Sequence, residues 1–149
     1  MKQISDELYT QILENMPVVC VDGLLHYGNK FILFKRDYEP AKDEWWVFGG
    51  RLQKGEKLKN AIIRKAKEEM GIDVKVEKQI GTYEMEFEKN RQGVSTHTIA
   101  VVFLVTSDEK PDFSKAEYKE FDEVKEFDSV DEAWHWYIKQ IIKDSKILE

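Results

Sequence analysis

The apolar positions of the chain fall into alternating blocks of helical and strand periodicity. In residues 3–15, Ile4, Leu8, Ile12 and Leu13 recur at helical spacing and predict a short amphipathic helix that ends at Met16-Pro17. Two dense apolar runs follow, 18–25 and 31–34, joined at Tyr27-Gly28-Asn29-Lys30 as a hairpin. A polar loop over 37–44 leads to a short aromatic strand, 45–48, which is expected to break at Gly49-Gly50. A helix is predicted over about 57–70, stopped by Gly71 as a left-handed cap. Residues 74–88 read as a strand in which Tyr83, Met85 and Phe87 alternate with Glu84, Glu86 and Glu88, so the glutamates form a solvated face. After a loop over 90–93 come a long strand (97–105), a short one (124–127) and a closing amphipathic helix (129–143). The order implies an α/β fold, a mixed β-sheet sandwiched between α-helices, in one domain spanning residues 1–149.

Composition narrows the function. The longest apolar runs are far short of a membrane span, and the polar start of the chain does not read as a signal peptide. Cys20 is the only cysteine, which excludes an internal disulfide and a cysteine zinc site, so a cytoplasmic protein is expected. A net charge of −6 without a basic tract argues against a nucleic-acid polymer as partner. The basic residues are nonetheless unevenly chosen: 19 lysines against four arginines, Arg36, Arg51, Arg64 and Arg91. Lys/Glu enrichment is a habit of thermophile proteins. It does not explain why three of the four arginines fall between residues 36 and 64, and arginine's planar fork suits phosphate.

The helix ending at Gly71 holds the chemistry. Leu58, Ile62, Ala66 and Met70 form its sheet-facing side, and Glu69 projects between Leu58 and Ile62. Glu68 and Glu69 together sit at the negative end of the helix dipole, and a half-buried carboxylate there calls for a cation. Intrahelical pairs Arg64–Glu68 and Lys65–Glu69 could supply it. So could a hard metal ion, helped by a backbone carbonyl from the Gly49-Gly50 turn.

Residues 50–72, GRLQKGEKLKNAIIRKAKEEMGI, resemble the Nudix box, G-x5-E-x7-R-E-U-x-E-E-x-G-U with U a bulky aliphatic. Gly50, Glu56, Arg64, Glu68, Glu69, Gly71 and Ile72 match in register. Three positions depart from it: Lys65 replaces the glutamate after the arginine, Ala66 replaces the bulky aliphatic, and Phe48 replaces the proline before the double glycine. The missing glutamate is commonly a metal ligand or the base in that family, so Lys65 counts against the ordinary multi-metal pyrophosphohydrolase mechanism.

The N-terminal two-thirds is similar to the GDP-mannose mannosyl hydrolase subfamily, whose box lacks the same glutamate. The similarity runs through PVVCVD at 17–22, FILFKR at 31–36, the GGRLQKGE stretch and Ser95-Thr96-His97. It implies a Nudix fold and hydrolysis of a GDP-mannose-like nucleotide sugar at the sugar C–O bond, with one Mg²⁺ (Mn²⁺ as alternative), and a homodimer. By the same resemblance, Gly50, Glu69 and the nearby Glu68 would hold the metal, Arg36 and Arg51 would grip the phosphates, and Asp22 and His97 would sit at the sugar. Arg64 reads as structural, pairing with Glu56 or Glu68. The base is open between His135, Asp131 and Glu132, and His135 could equally be a packed aromatic between Trp134 and Trp136. Two other functions stay open: an ordinary Nudix pyrophosphohydrolase cutting P–O bonds of a nucleoside diphosphate derivative or triphosphate, and a non-catalytic nucleotide sensor.

Overall fold

The computed structural model describes residues 3–90, 93–117, 119 and 121–149, so Arg91 and half of the 90–93 loop lie outside the described residues. In chain order the elements are α1 (Asp6–Asn15), β1 (Val18–Tyr27), β2 (Lys30–Arg36), β3 (Trp45–Trp46), β4 (Phe48–Arg51), α2 (Leu58–Met70), β5 (Lys75–Phe87), β6 (Thr96–Thr106), a 3₁₀ turn (Phe113–Lys115), β7 (Phe121–Phe127) and α3 (Trp136–Ser145). Among the described residues no helix is long and apolar enough to cross a membrane.

β1 organises the sheet. Along one edge it pairs parallel with β6, from Val18↔Thr98 to Leu25↔Val105. Along the other it pairs antiparallel first with β4 (Cys20↔Arg51 to Gly23↔Phe48) and then with β2 (Leu25↔Ile32 to Tyr27↔Lys30). Two strands sharing one edge split the sheet beside β4. β5 pairs antiparallel with β6, and β7 and β3 pair antiparallel with β2, so the sheet is mixed as the pattern predicts. Alternate residues of β1 face opposite helices. Val21 and Leu25 enter the core with Ile62, Ala66 and Met70 of α2, while Leu24 enters the core with Tyr137, Ile138 and Ile141 of α3.

Among the boundaries that differ from the sequence pattern, three bear on the site. The strand does not end at the double glycine: β4 runs through it, because Gly49 and Gly50 lie directly against Asp22 and Val21 of β1. A Cβ at Gly49 would stand 2.1 Å from Asp22 Oδ1, so only glycine permits that approach. The last helix begins at Trp136 rather than residue 129. Asp131 closes a turn by accepting from the Ala133 N–H at 2.9 Å, and His135 becomes the N-cap by accepting from the Tyr137 N–H at 3.1 Å. The first helix starts at Asp6, where Ser5 accepts from the Leu8 N–H at 3.1 Å. The end of α2 matches the pattern, with Gly71 at φ 68°.

Candidate active site

A cavity of about 440 Å³ opens on the α3 side of β1, beside the split. Its floor is Cys20 and Asp22 of β1, with Thr96 and Thr98 of β6 farther along. β4 and α2 contribute Gly49, Gly50, Arg51, Lys65 and Glu69, and Tyr9 of α1 forms a wall together with Ile4, which precedes that helix.

Glu69 is 2% exposed. Its Oε2 accepts from the Gly49 N–H at 3.0 Å, which ties the end of α2 to β4. Lys65, 8% exposed, stands with Nζ 3.5 Å from Glu69 Oε1 and 3.2 Å from Glu68 Oε2. Arg64 takes the other side of Glu68 with Nη1 at 3.0 and 3.1 Å from the two carboxylate oxygens. The same guanidinium donates to Glu56 at 2.6 and 2.9 Å and to the Arg51 carbonyl at 3.2 Å. Glu56 closes the loop before α2 by accepting from the Gln53 N–H at 3.2 Å, and Arg64 holds its carboxyl below the usual carboxylate range. The structure therefore contains both intrahelical pairs expected from spacing, and Arg64 clamps both glutamates at once.

Arg36 and Arg51 both face the cavity. The Arg36 guanidinium lies 4.3 Å over the Tyr38 ring and its Nε donates to the Pro40 carbonyl at 2.7 Å. The Arg51 guanidinium lies 4.4 Å over the Tyr9 ring. Stacking on a tyrosine fixes the plane of each fork and leaves its N–H edges directed outward in that plane, the geometry that phosphate oxygens accept. Neither tyrosine is singled out by sequence spacing, since each lies in a different element from its partner or in an irregular loop.

Asp22 accepts from the Tyr137 hydroxyl at 2.5 Å and is 8% exposed. Burial pushes its carboxyl up to about 6, opposed by the Tyr137 hydrogen bond and by the charges of Arg36 and Lys65. The sign follows by linkage. The folded carboxyl holds its proton more tightly than the unfolded one at 3.8, so its contribution to stability falls as pH rises from about 4 to 6. Asp22→Asn is accordingly expected to stabilise the fold at pH 8 by on the order of 2–3 kcal/mol and to do nothing at pH 4. Thermal melts at the two pH values check it; equal shifts at both would contradict it. Cys20, beside Asp22, is kept a thiol by burial, which pushes it up to about 12.

Two expected site residues lie elsewhere. His97 does not line the cavity: strand alternation turns Thr96 and Thr98 inward and His97 to the opposite face, where its Nε2 meets Glu84 at 2.5 Å. His135 packs behind the cavity wall, 5.1 Å from Trp46 and 5.9 Å from Phe87 by ring centroids. Its Nδ1 is occupied as the cap acceptor, and burial lowers its pKa from the usual imidazole value. Of the proposed metal set, Gly50 and Glu69 line the cavity, and Glu68 stands behind Lys65 in the grip of Arg64.

Among the described residues no group of three or more His, Cys, Asp or Glu side chains gathers as a metal nest. One nearly buried carboxylate, a second beside it and a glycine backbone are oxygen donors of the kind a hard cation would take.

The NUDIX domain model matches residues 16–148. The chain is 33% identical over 142 residues to the low-salt glycan biosynthesis protein Agl8 of Haloferax volcanii, covering 94% of this chain and 89% of that protein. It is 33% identical over 115 residues to an ADP-ribose pyrophosphatase of Methanocaldococcus jannaschii, covering 77% of this chain and 62% of that one. A MutT NUDIX hydrolase from Burkholderia pseudomallei has the same fold, with a TM-score of 0.72 at 18% identity over 87% of this chain and 98% of that one. With the family model covering residues 16–148, which include all of the box and the β1, β4 and α2 residues of the cavity, the chain belongs to the Nudix hydrolase family.

Proposed function

We propose that this chain hydrolyses a nucleoside diphosphate sugar at the glycosyl carbon, using one Mg²⁺. The observation that carries the reading is Asp22. A carboxylate in the floor of a cavity that also presents Arg36 and Arg51 repels phosphate, yet it is a strong acceptor for hydroxyl groups. A substrate that satisfies both has an anionic part for the arginines and a neutral, hydroxyl-bearing part for Asp22. A nucleoside diphosphate sugar has both; a triphosphate has only the first at its reacting end. The glycan-related name of the Haloferax relative supports the same substrate class.

In this scheme Glu69, Glu68 and the Gly50 backbone would hold the metal, which would supply charge neutralisation on the diphosphate. Arg36 and Arg51 orient the phosphates and stabilise negative charge as it develops on them. Water oxygen bonds to the glycosyl carbon from the face opposite the leaving group, the carbon–oxygen bond to phosphate breaks with its electron pair on the diphosphate, and the water proton passes to bulk solvent, so the carbon inverts. Asp22, braced by Tyr137, orients the sugar through its hydroxyls.

The second reading is cleavage at P–O, which the Methanocaldococcus relative's activity favours. Hydrolysis of a nucleoside diphosphate sugar panel with Mg²⁺ in ¹⁸O-water separates the two. Label is expected in the free sugar; label in phosphate would replace the glycosyl reading with the pyrophosphatase one.

A further inference from the structure

Lys65 stands where the family pattern has a carboxylate, and three features tie it to the site. Its Nζ lies 3.2 Å from Glu68 Oε2 and 3.5 Å from Glu69 Oε1, so one ammonium serves both carboxylates at the negative end of α2. The residue is 8% exposed and lines the cavity beside Gly50 and Glu69. Its stem also crosses close over β4: a Cβ on residue 50 would stand 2.7 Å from Lys65 Cε and 3.1 Å from Nζ. Any side chain at 50 would have to displace the lysine, so the glycine admits the lysine as well as the strand.

We infer that Lys65 is a tethered cation that takes the place of a second divalent ion, so that the site binds a single metal. This rests on the reading of the box as a metal-and-diphosphate site. A carboxylate at 65 would add a third acidic group to Glu68 and Glu69, enough for two cations. The ammonium instead supplies one positive charge permanently and repels a second cation from the oxygens it occupies. Facing the cavity, the same charge is available to the diphosphate when it binds.

Titration with Mn²⁺ alone, followed by electron paramagnetic resonance, tests the count. The natural chain is expected to bind one Mn²⁺ and Lys65→Glu two. Two ions on the natural chain, or one on Lys65→Glu, overturns the inference. Lys65→Met gives an independent reading through stability. Without metal it leaves Glu68 and Glu69 short of charge and should melt roughly 5–10 °C below the natural chain. Added Mg²⁺ should raise its melting temperature more than that of the natural chain, since the ion then supplies the missing charge; an equal or smaller rise overturns the inference. The ¹⁸O label reports the bond cleaved whatever the metal count, so either result for Lys65 leaves the glycosyl reading to be judged on its own.

Discussion

Glu69→Gln is expected to lower Mg²⁺-dependent kcat/KM on the nucleotide sugar by about 10²–10³-fold, the range seen when one group stabilising transition-state charge is removed. The fold should survive. Gln is isosteric, and its amide oxygen can still accept from the Gly49 N–H that now bonds Oε2 at 3.0 Å. The amide NH₂ then turns to the position of Oε1, toward Lys65 and the cavity, where it offers a donor to groups that need an acceptor. Metal affinity and turnover should therefore fall together, while the melting temperature moves by a few degrees at most. Activity retained at the natural level would remove Glu69 from the metal site. A collapse of the melting temperature would show instead that the Gly49 tie and the lysine pair are chiefly structural.

The parts of this site that were legible in the sequence are those set by local rules. The α2 face of Leu58, Ile62, Ala66 and Met70 follows from helical periodicity, and all but the partly buried Leu58 are fully buried. Gly71 ends that helix because it alone adopts the left-handed cap without strain. The burial of Lys65 follows from no such rule. It depends on β4 lying against the helix, a contact between elements. His97 shows the same limit on a strand. Its neighbours Thr96 and Thr98 face the cavity, and which parity points inward is decided by the register of β6 against β1 and β5, not by the residue types. Tyr137 was invisible for a different reason: on the apolar face of α3 it reads as core, which it is, except that its hydroxyl reaches Asp22 from 115 residues away. The helical pattern runs through His135, but a turn at Asp131 and a side-chain cap outcompete it, so His135 stands at the N-cap of α3.

The second large effect falls on Arg64, which does not line the cavity. Arg64→Met is expected to destabilise the fold by about 3 kcal/mol, lowering the melting temperature by roughly 6–12 °C. The guanidinium joins three separate pieces: the loop before α2 through Glu56, the end of α2 through Glu68, and β4 through the Arg51 carbonyl. The Glu56 side chain is only 7% exposed, so methionine would leave a nearly buried carboxylate without its counter-charge. The loss has a pH signature. Because Arg64 holds Glu56 below its ordinary 4.5, the stability from this pair is fully present above that pH and is lost as pH falls below it. The gap between the natural chain and Arg64→Met should therefore be wide at pH 7 and narrow toward pH 3; a gap independent of pH would mean that packing, not charge, is what the arginine supplies. Arg64→Lys keeps one charge but cannot span three acceptors with a single ammonium, so it should recover only part of the difference. On the proposed roles, activity lost in these variants should appear mainly as a raised KM, since the Arg51 strand, proposed to face the phosphates, is released before Glu69, the proposed metal carboxylate, which has its own tie to Gly49.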